Sequence, residues 1–376
     1  MLEALVGIPT VSRDSNLELV DFVSGYLRRH GVQSQLVVSD CGEKANLYAT
    51  VGPVVPGGVV LSGHTDVVPV DDQDWHTDPF HIAERDGRLH GRGTCDMKAF
   101  IAIALALVPE MDRLRYPVHF AFSYDEEVGC LGAPRLIDAI SADLPQPRAV
   151  IVGEPTEMRV VTAHKSMFIF ETEVRGHEAH SSKQNLGVPA VMVAGRLVNW
   201  LAEQQDRNRE QARPECPFEP AYSTLHCGVI RGGTAQNITA RRCRFVTDIR
   251  TLPDEDPLEF FGALERYARE DLEPAMQRVH PDTGITFHIR SQVPAFHARE
   301  DESAVMLAKQ LTGQNSTESV AYGAEAGQFQ QAGLSVVMCG PGSIDQAHQP
   351  NEFISIDQFD QGVAFMRRLI EHLSVA

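Results

Sequence analysis

An α/β protein whose main domain is interrupted by a smaller α+β domain is the fold class this sequence predicts, and three observations predict it. Short, apolar, β-branched runs recur along the chain with helical patterns between several of them, which is how strands buried on both faces read. Between residues 167 and 291 the order changes to strand, helix, two strands, helix and strand, the pattern of a small two-layer unit. The length, 376 residues, also exceeds one average domain. The expected boundaries are 1–166 and 292–376 for the main domain and 167–291 for the insertion.

Asn16 to His30 places Leu17, Val20, Val23, Tyr26 and Leu27 at helical spacing before Gly31, a helix-ending residue. Strands are expected at Val59-Val60-Leu61, Val118 to Tyr124, Ala149 to Val152 and Ser335 to Cys339. Within the insertion, strands are expected at Met167 to Arg175, Ser223 to Ile230, Ile238 to Arg250 and Ile285 to Arg290, and helices at Val188 to Glu203 and Leu258 to Arg278. Gln205 to Pro220, polar and with three prolines, reads as a loop. A final helix is expected from Ile356, started by a capping box of Ser355 and Gln358.

Composition excludes several partners. Thirty-three basic residues against 51 acidic give a formal charge of -18, which repels phosphate backbones and anionic lipid surfaces. The longest apolar stretch, Ala99 to Pro109, is far shorter than the roughly 20 residues that cross a bilayer, and no basic-then-apolar leader opens the chain. No nucleic acid and no membrane partner is therefore expected, and a cytoplasmic location is. Seven dispersed cysteines without a CxxC pair read as reduced thiols.

In open α/β sheets ligands gather outside the carboxyl ends of strands, so the residues that follow each apolar run carry the information. Val59 to Ser62 leads into Gly63-His64-Thr65-Asp66, Val118 to Tyr124 into Asp125-Glu126-Glu127, and Ala149 to Val152 into Gly153-Glu154-Pro155. Ser335 to Cys339 opens Gly340-Pro341-Gly342-Ser343-Ile344-Asp345-Gln346-Ala347-His348. Asp96, in Gly91-Arg92-Gly93-Thr94-Cys95-Asp96-Met97-Lys98, precedes an apolar helix. Any one of these acids alone reads more readily as a cap or a solvated turn than as a ligand. Together they supply two imidazoles and several carboxylates, donors that zinc or cobalt accept, without the thiolate cage of a structural zinc site. Cys95 and Cys130 read as small buried residues beside the group. On extended backbone the neighbouring Glu126 and Glu127 point different ways, so one can hold metal while the other holds a proton.

These segments resemble the aminoacylase and glutamate-carboxypeptidase family of dinuclear zinc amidohydrolases. The family's His-x-Asp, Gly-Arg-Gly-x-x-Asp-Met-Lys, Glu-Glu pair, later acid and late His fall here on His64 and Asp66, Asp96, Glu126 and Glu127, Glu154, and His348. The resemblance implies a zinc-peptidase-like catalytic domain with a mixed central sheet, and an inserted ferredoxin-like domain that serves as lid and dimerisation surface. It implies two Zn2+ per subunit, with Co2+ as a substitute. Asp96 would bridge the pair, His64 and Glu154 completing one ion and Glu127 and His348 the other. Asp66 would orient the His64 ring, and Glu126 would be the general base. Ala99 and Ser166 stand where the family has glycine.

In the insertion, His177 and His180 are three apart, which does not match the i,i+4 histidines of a zinc-protease helix, so no further metal site is expected there. The resemblance gives His180 oxyanion stabilisation, from its own or the partner subunit, and makes Asn237 and Arg250 substrate contacts. A buried amide and a surface ion pair are equally compatible with those two. Tyr322-Gly323-Ala324-Glu325-Ala326 and the late Gly-rich segment are nearest to the branch of the family that hydrolyses N-acetyl-L-ornithine to L-ornithine and acetate in arginine biosynthesis. Glu325 is then the candidate partner for the substrate ammonium, with helix capping as the other reading. Succinyl-diaminopimelate, other N-acyl amino acids and dipeptides are alternative substrates. A non-catalytic metal- or amino-acid-binding relative is the alternative from another class. A homodimer is the expected assembly.

Overall fold

A computed structural model describes residues 1–374. In chain order its strands are β1 (Ser34–Val38), β2 (Ala45–Val51), β3 (Val59–His64), β4 (Ala83–Arg85), β5 (Arg88–His90), β6 (Val118–Ser123), β7 (Ala149–Val152) and β8 (Val161–His164). There follow β9 (Met167–Arg175), β10 (Thr224–Gly232), β11 (Arg242–Arg250), β12 (Gly284–Val293), β13 (Phe296–His297), β14 (Glu318–Val320), β15 (Val336–Met338) and β16 (Phe353–Ser355). The chain divides into two compact units, one of residues 1–163, 296–319 and 324–376 and the other of residues 164–295 and 320–323.

The first unit is built on a mixed sheet in the order β1-β2-β6-β3-β7-β15-β8-β13, with β14 paired to β8. Its centre, β6-β3-β7-β15, is parallel, while β1, β2 and β8 run antiparallel to their neighbours. The parallel strands are buried at every position, as the sequence of continuous apolar runs requires. Because β6 lies on one side of β3 and β7 on the other, the connections diverge at β3, and the crevice outside the carboxyl ends opens there. The apolar stretch after Asp96 forms the helix Lys98–Ala106, buried from Lys98 to Leu105. A helix apolar on all sides belongs in a core, which is where this one is. No helix among the described residues is long and apolar enough to cross a membrane.

The opening helix spans Leu17–Arg29 and buries Leu19, Val20, Val23 and Leu27, with Gly31 at φ +75° after it. The closing helix spans Ile356–Leu373, and Ser355 Oγ accepts the Gln358 N–H as a cap. The box is only half formed, because the Gln358 side chain accepts instead from Gly342 N at 3.2 Å.

The second unit is a four-stranded antiparallel sheet in the order β10-β11-β9-β12, the ferredoxin-like arrangement. On β9 buried residues alternate with partly exposed ones, so Phe168, Phe170 and Val174 face the unit's core with Leu197, Leu201, Phe245 and Leu264. Three boundaries differ from expectation. The first helix runs Ala190–Glu210 into the segment expected to be a loop, because its prolines begin only at Pro214 and Arg207 and Arg209 make local ion pairs that favour helix. The strand expected from Ile238 begins at Arg242, since Thr239 N and Ala240 O bond to Ala179 and Ala190 instead. The helix expected over Leu258–Arg278 is Pro257–Arg266, a π turn Tyr267–Leu272, and Glu273–Val279, the last helix opening at Pro274, which has no N–H to continue the ladder.

Ala99 and Ser166 do not adopt a positive φ, so neither place requires glycine here. Ser166 Oγ instead pairs with Thr251 Oγ1 at 2.7 Å and accepts Thr251 N at 2.9 Å.

Candidate metal centre

Four neighbouring parallel strands end at one rim, and each delivers a side chain there. β3 ends on His64, β6 leads into Glu126 and Glu127, β7 into Glu154, and β15 into the loop that carries His348. Asp96 comes from the turn that starts the buried helix packed on β3.

The His64 ring is held by its own backbone turn. Its Nδ1 lies 2.9 Å from the Asp66 carbonyl oxygen, which can only accept, so Nδ1 donates there and Nε2 is the nitrogen turned toward the rim. That Nε2 is 2.9 Å from Asp96 Oδ1 and 3.9 Å from Glu154 Oε1. His348, at φ +61° and half exposed, places Nε2 3.4 Å from Asp96 Oδ2 and 2.9 Å from Glu127 Oε2. The two oxygens of Asp96 therefore face two different imidazoles. Single ligand atoms of His64, Asp96 and Glu127 lie within 4.8 Å of one another.

The expectation for Asp66 changes in detail. The His64 ring is held by the Asp66 carbonyl, while the carboxylate stands 3.7 Å from Nδ1. The carboxylate turns to the other loop, accepting Glu126 N at 3.1 Å, Glu127 N at 3.3 Å and Ser12 Oγ at 2.7 Å.

Glu126 and Glu127 are also not on extended backbone, as the sequence suggested. β6 stops at Ser123, Asp125 turns the chain at φ +56°, and Gly129 N and Cys130 N bond back to Glu126 O at 2.9 and 2.8 Å. The side chains still diverge, Glu127 toward His348 and Glu126 toward Cys130, whose Sγ donates to Glu126 Oε1 at 3.3 Å. Cys130 is buried, as expected, but it touches the acid rather than only filling space. Cys95 is buried too, its Sγ donating to Ser343 O at 3.1 Å, and all seven cysteines are free.

The charges in this group need cations. Burial, followed by repulsion from Asp96, raises Glu127 to about 7 and Glu154 to about 8. Burial and the Glu154 charge raise Glu126 well above the carboxylate range. Burial pulls the His64 imidazole down, but the hydrogen bond and charge of Asp96, with Glu126 and Glu154, outweigh it and hold the ring well above its usual value. Hydrogen bonds to Asp96 and Glu127 raise His348 to about 10. Burial opposes ionisation of Asp96, yet hydrogen bonds from His348 and His64 keep it low. Glu154 Oε1 is buried with no hydrogen-bond partner. Two imidazoles and several carboxylates packed in low dielectric, with an orphaned oxygen among them, fit one or two divalent cations of the kind that accept nitrogen and oxygen.

Of the remaining sequence candidates, Glu325 stands beside the rim, where the His64 charge acts on it, and the other three belong to the second unit. Glu325, in the first unit, is 1% exposed, and its Oε2 accepts Ser62 Oγ at 3.2 Å while Oε1 has no partner. Its side chain caps no backbone amide of the helix Ala326–Gln331, which removes the capping alternative. His180, Asn237 and Arg250 belong to the second unit. His180 Nδ1 is 2.8 Å from Ser182 Oγ, Asn237 is exposed, and Arg250 Nε donates to Asp248 Oδ2 at 2.9 Å. The His177 ring stacks on His280, with centroids 3.9 Å apart.

Sequence reasoning missed Ser12, Asn46 and Glu352. Asn46 Oδ1 accepts Tyr124 N at 3.1 Å and its Nδ2 donates to Gly132 O at 2.9 Å, clasping both ends of the Glu126 loop. Ser12 and Asn46 left no signal in isolation. Glu352 had one: an acid four residues after His348 that lies in a segment otherwise devoted to the rim.

A model of peptidase family M20/M25/M40 matches residues 60–372. An acetylornithine deacetylase of Myxococcus xanthus is 35% identical over 382 residues, covering 99% of this chain and 96% of its own. One from Pasteurella multocida is 31% identical, with 98% and 96% covered. Among solved structures, the dipeptidase Dug1p of Saccharomyces cerevisiae superposes with a TM-score of 0.77 at 16% identity, covering 99% of this chain and 94% of that one. The Bacillus subtilis YXEP protein, described as a dinuclear metal-binding peptidase, gives 0.65 at 15% identity, with 99% and 96% covered. The chain belongs to peptidase family M20/M25/M40 and is a metal-dependent hydrolase of amide bonds.

Proposed function

We propose that this protein removes the acetyl group from N-acetyl-L-ornithine, giving acetate and L-ornithine, in arginine biosynthesis. The observation that carries the chemistry is Asp96, whose two carboxylate oxygens face His64 and His348 separately. A carboxylate so placed suits two divalent cations, zinc or cobalt, with His64 and Glu154 on one side and Glu127 and His348 on the other. The substrate rests on the acetylornithine deacetylases that match this chain almost end to end.

Bound cations lower the pKa of water toward about 7 and polarise the acyl carbonyl. The protein's own residues do the rest. Glu126 reaches the rim from the same turn as Glu127, held by Asp66, in a position suited to a group that takes a proton and returns it. It removes a proton from water and delivers it to the departing amine. The Nδ1–H to the Asp66 carbonyl keeps His64 in the tautomer whose Nε2 can ligate. His180 is assigned to the developing oxyanion and Asn237 and Arg250 to substrate binding, Arg250 being able to clamp a carboxylate, on the family resemblance alone. A homodimer, with the second unit as lid and dimerisation surface, is part of the same proposal.

Turnover of metal-loaded protein on N-acetyl-L-ornithine, succinyl-diaminopimelate and simple dipeptides tests it. Preference for N-acetyl-L-ornithine is expected; a clear preference for either other class overturns the substrate assignment. Glu325→Gln, assayed on N-acetyl-L-ornithine and on an uncharged acetylated amino acid, tests the ammonium partner: selective loss on the first is expected, and equal loss contradicts it.

A further inference from the structure

The segment that carries His348 continues into Glu352, a fully buried acid to which nothing above gives a role. Its Oε1 accepts the backbone N–H of Cys95 at 2.8 Å and of Asp96 at 3.1 Å. Its Oε2 accepts the backbone N–H of Gly93 at 3.1 Å and Arg92 Nη1 at 2.7 Å. The Glu352 carbonyl accepts Gly91 N at 2.9 Å. Arg92 is as buried as its partner, each 1% exposed, and its other nitrogen donates to Gln73 Oε1 at 2.6 Å.

The loop from Gly91 to Asp96 is thus wrapped around one carboxylate, as anion-binding loops wrap a phosphate. An ordinary structural ion pair needs only Arg92. The three additional backbone donors are what distinguish this arrangement, and the last of them is the N–H of Asp96 itself.

We propose that Glu352 is a positioning residue for the metal centre, fixing where the two oxygens of Asp96 stand and tying that loop to the strand of chain that carries His348. The proposal rests on the reading of Asp96 and His348 as metal ligands. A ligand that serves two cations tolerates little displacement, and outer partners of ligands commonly set affinity by 10–100-fold. Glu352 reaches Asp96 through its backbone, so its loss moves the ligand without removing it.

The test is zinc affinity, measured on purified protein by competition of ZnCl2 with a chelating dye, alongside thermal melting of the metal-free form. Glu352→Gln keeps the size but places an amide where Arg92 and Gly93 need an acceptor; zinc affinity is expected to fall by about 10–100-fold. Because this variant leaves Arg92 partly unpaired, the double variant Arg92→Met, Glu352→Leu removes both charges together and serves as the second probe. It is expected to melt closer to the wild type yet still bind zinc at least about 10-fold more weakly. Either variant folding and binding zinc like the wild type overturns the proposal while leaving the ligand assignment intact. A wild type that binds no zinc overturns both. Recovery of affinity in the double variant, with loss only in Glu352→Gln, shows an ion pair and no positioning role.

Discussion

The Asp66 carboxylate accepts the backbone N–H of Glu126 at 3.1 Å, so the short turn that fixes the His64 ring also fixes the turn that presents Glu126, the proposed general base. Its other oxygen takes Glu127 N and Ser12 Oγ. Asp66→Ala removes three acceptor contacts at once and leaves the Glu126 and Glu127 N–H groups without theirs. Turnover and zinc affinity are both expected to fall, the affinity by about 10–100-fold, and dye competition with steady-state kinetics reads the two effects. Ser12→Ala, which removes one donor, is expected to do much less. Equal effects contradict the view that the loop backbone is what Asp66 holds.

Glu126 is assigned proton transfer and no metal. Glu126→Gln is therefore expected to bind zinc like the wild type while kcat drops by about 10²–10⁴-fold. Metal analysis and kinetics on the same preparation decide it, and near-normal turnover removes Glu126 from the mechanism.

Gly340 lies where β15 gives way to the His348 loop, against the backbone that leads into Glu154. A Cβ there would stand 2.1 Å from Gly153 O and 2.6 Å from Glu154 O, both backbone atoms that no rotamer change can move aside. Gly340→Ala is expected to destabilise the fold by about 1–3 kcal/mol, seen in denaturant unfolding, and to weaken metal binding through the displaced Glu154. Wild-type stability in this variant contradicts the packing described.

His119, buried on β6 with Nδ1 2.9 Å from Thr50 Oγ1, is lowered by burial to about 4 from its ordinary 6.5. Between those values the unfolded chain binds the proton and the folded chain does not. Stability is therefore lost as pH falls from about 6.5 toward 4, with a slope approaching about 1.4 kcal/mol per pH unit from this residue. Urea unfolding of wild type and His119→Leu at several pH values reads the difference: the slope is expected to flatten in the variant. Identical slopes remove His119 from the acid sensitivity.

The sequence showed where chain segments meet better than how they meet. His64, Glu127, Glu154 and His348 were legible because each follows a continuous apolar run, and four such runs lying side by side must end at one rim. The ferredoxin-like order was legible from the alternation on β9 and the change of element order. What was not legible is carried by backbone. The turn at Asp125, the Asp66 carbonyl on His64 and the Glu352 grip on the Asp96 loop depend on φ values and N–H directions that residue types do not encode. The helix break before Pro274 was encoded, but the apolar spacing across it masked it.

Metal content measured by elemental analysis after zinc loading and desalting tests the central claim most directly, comparing wild type with His64→Ala and His348→Ala. Close to two ions per chain in the wild type, and fewer in each variant, is the predicted result. Wild-type protein without stoichiometric metal, or His348→Ala and His64→Ala both retaining the full content, contradicts the assignment of the rim as a two-cation site.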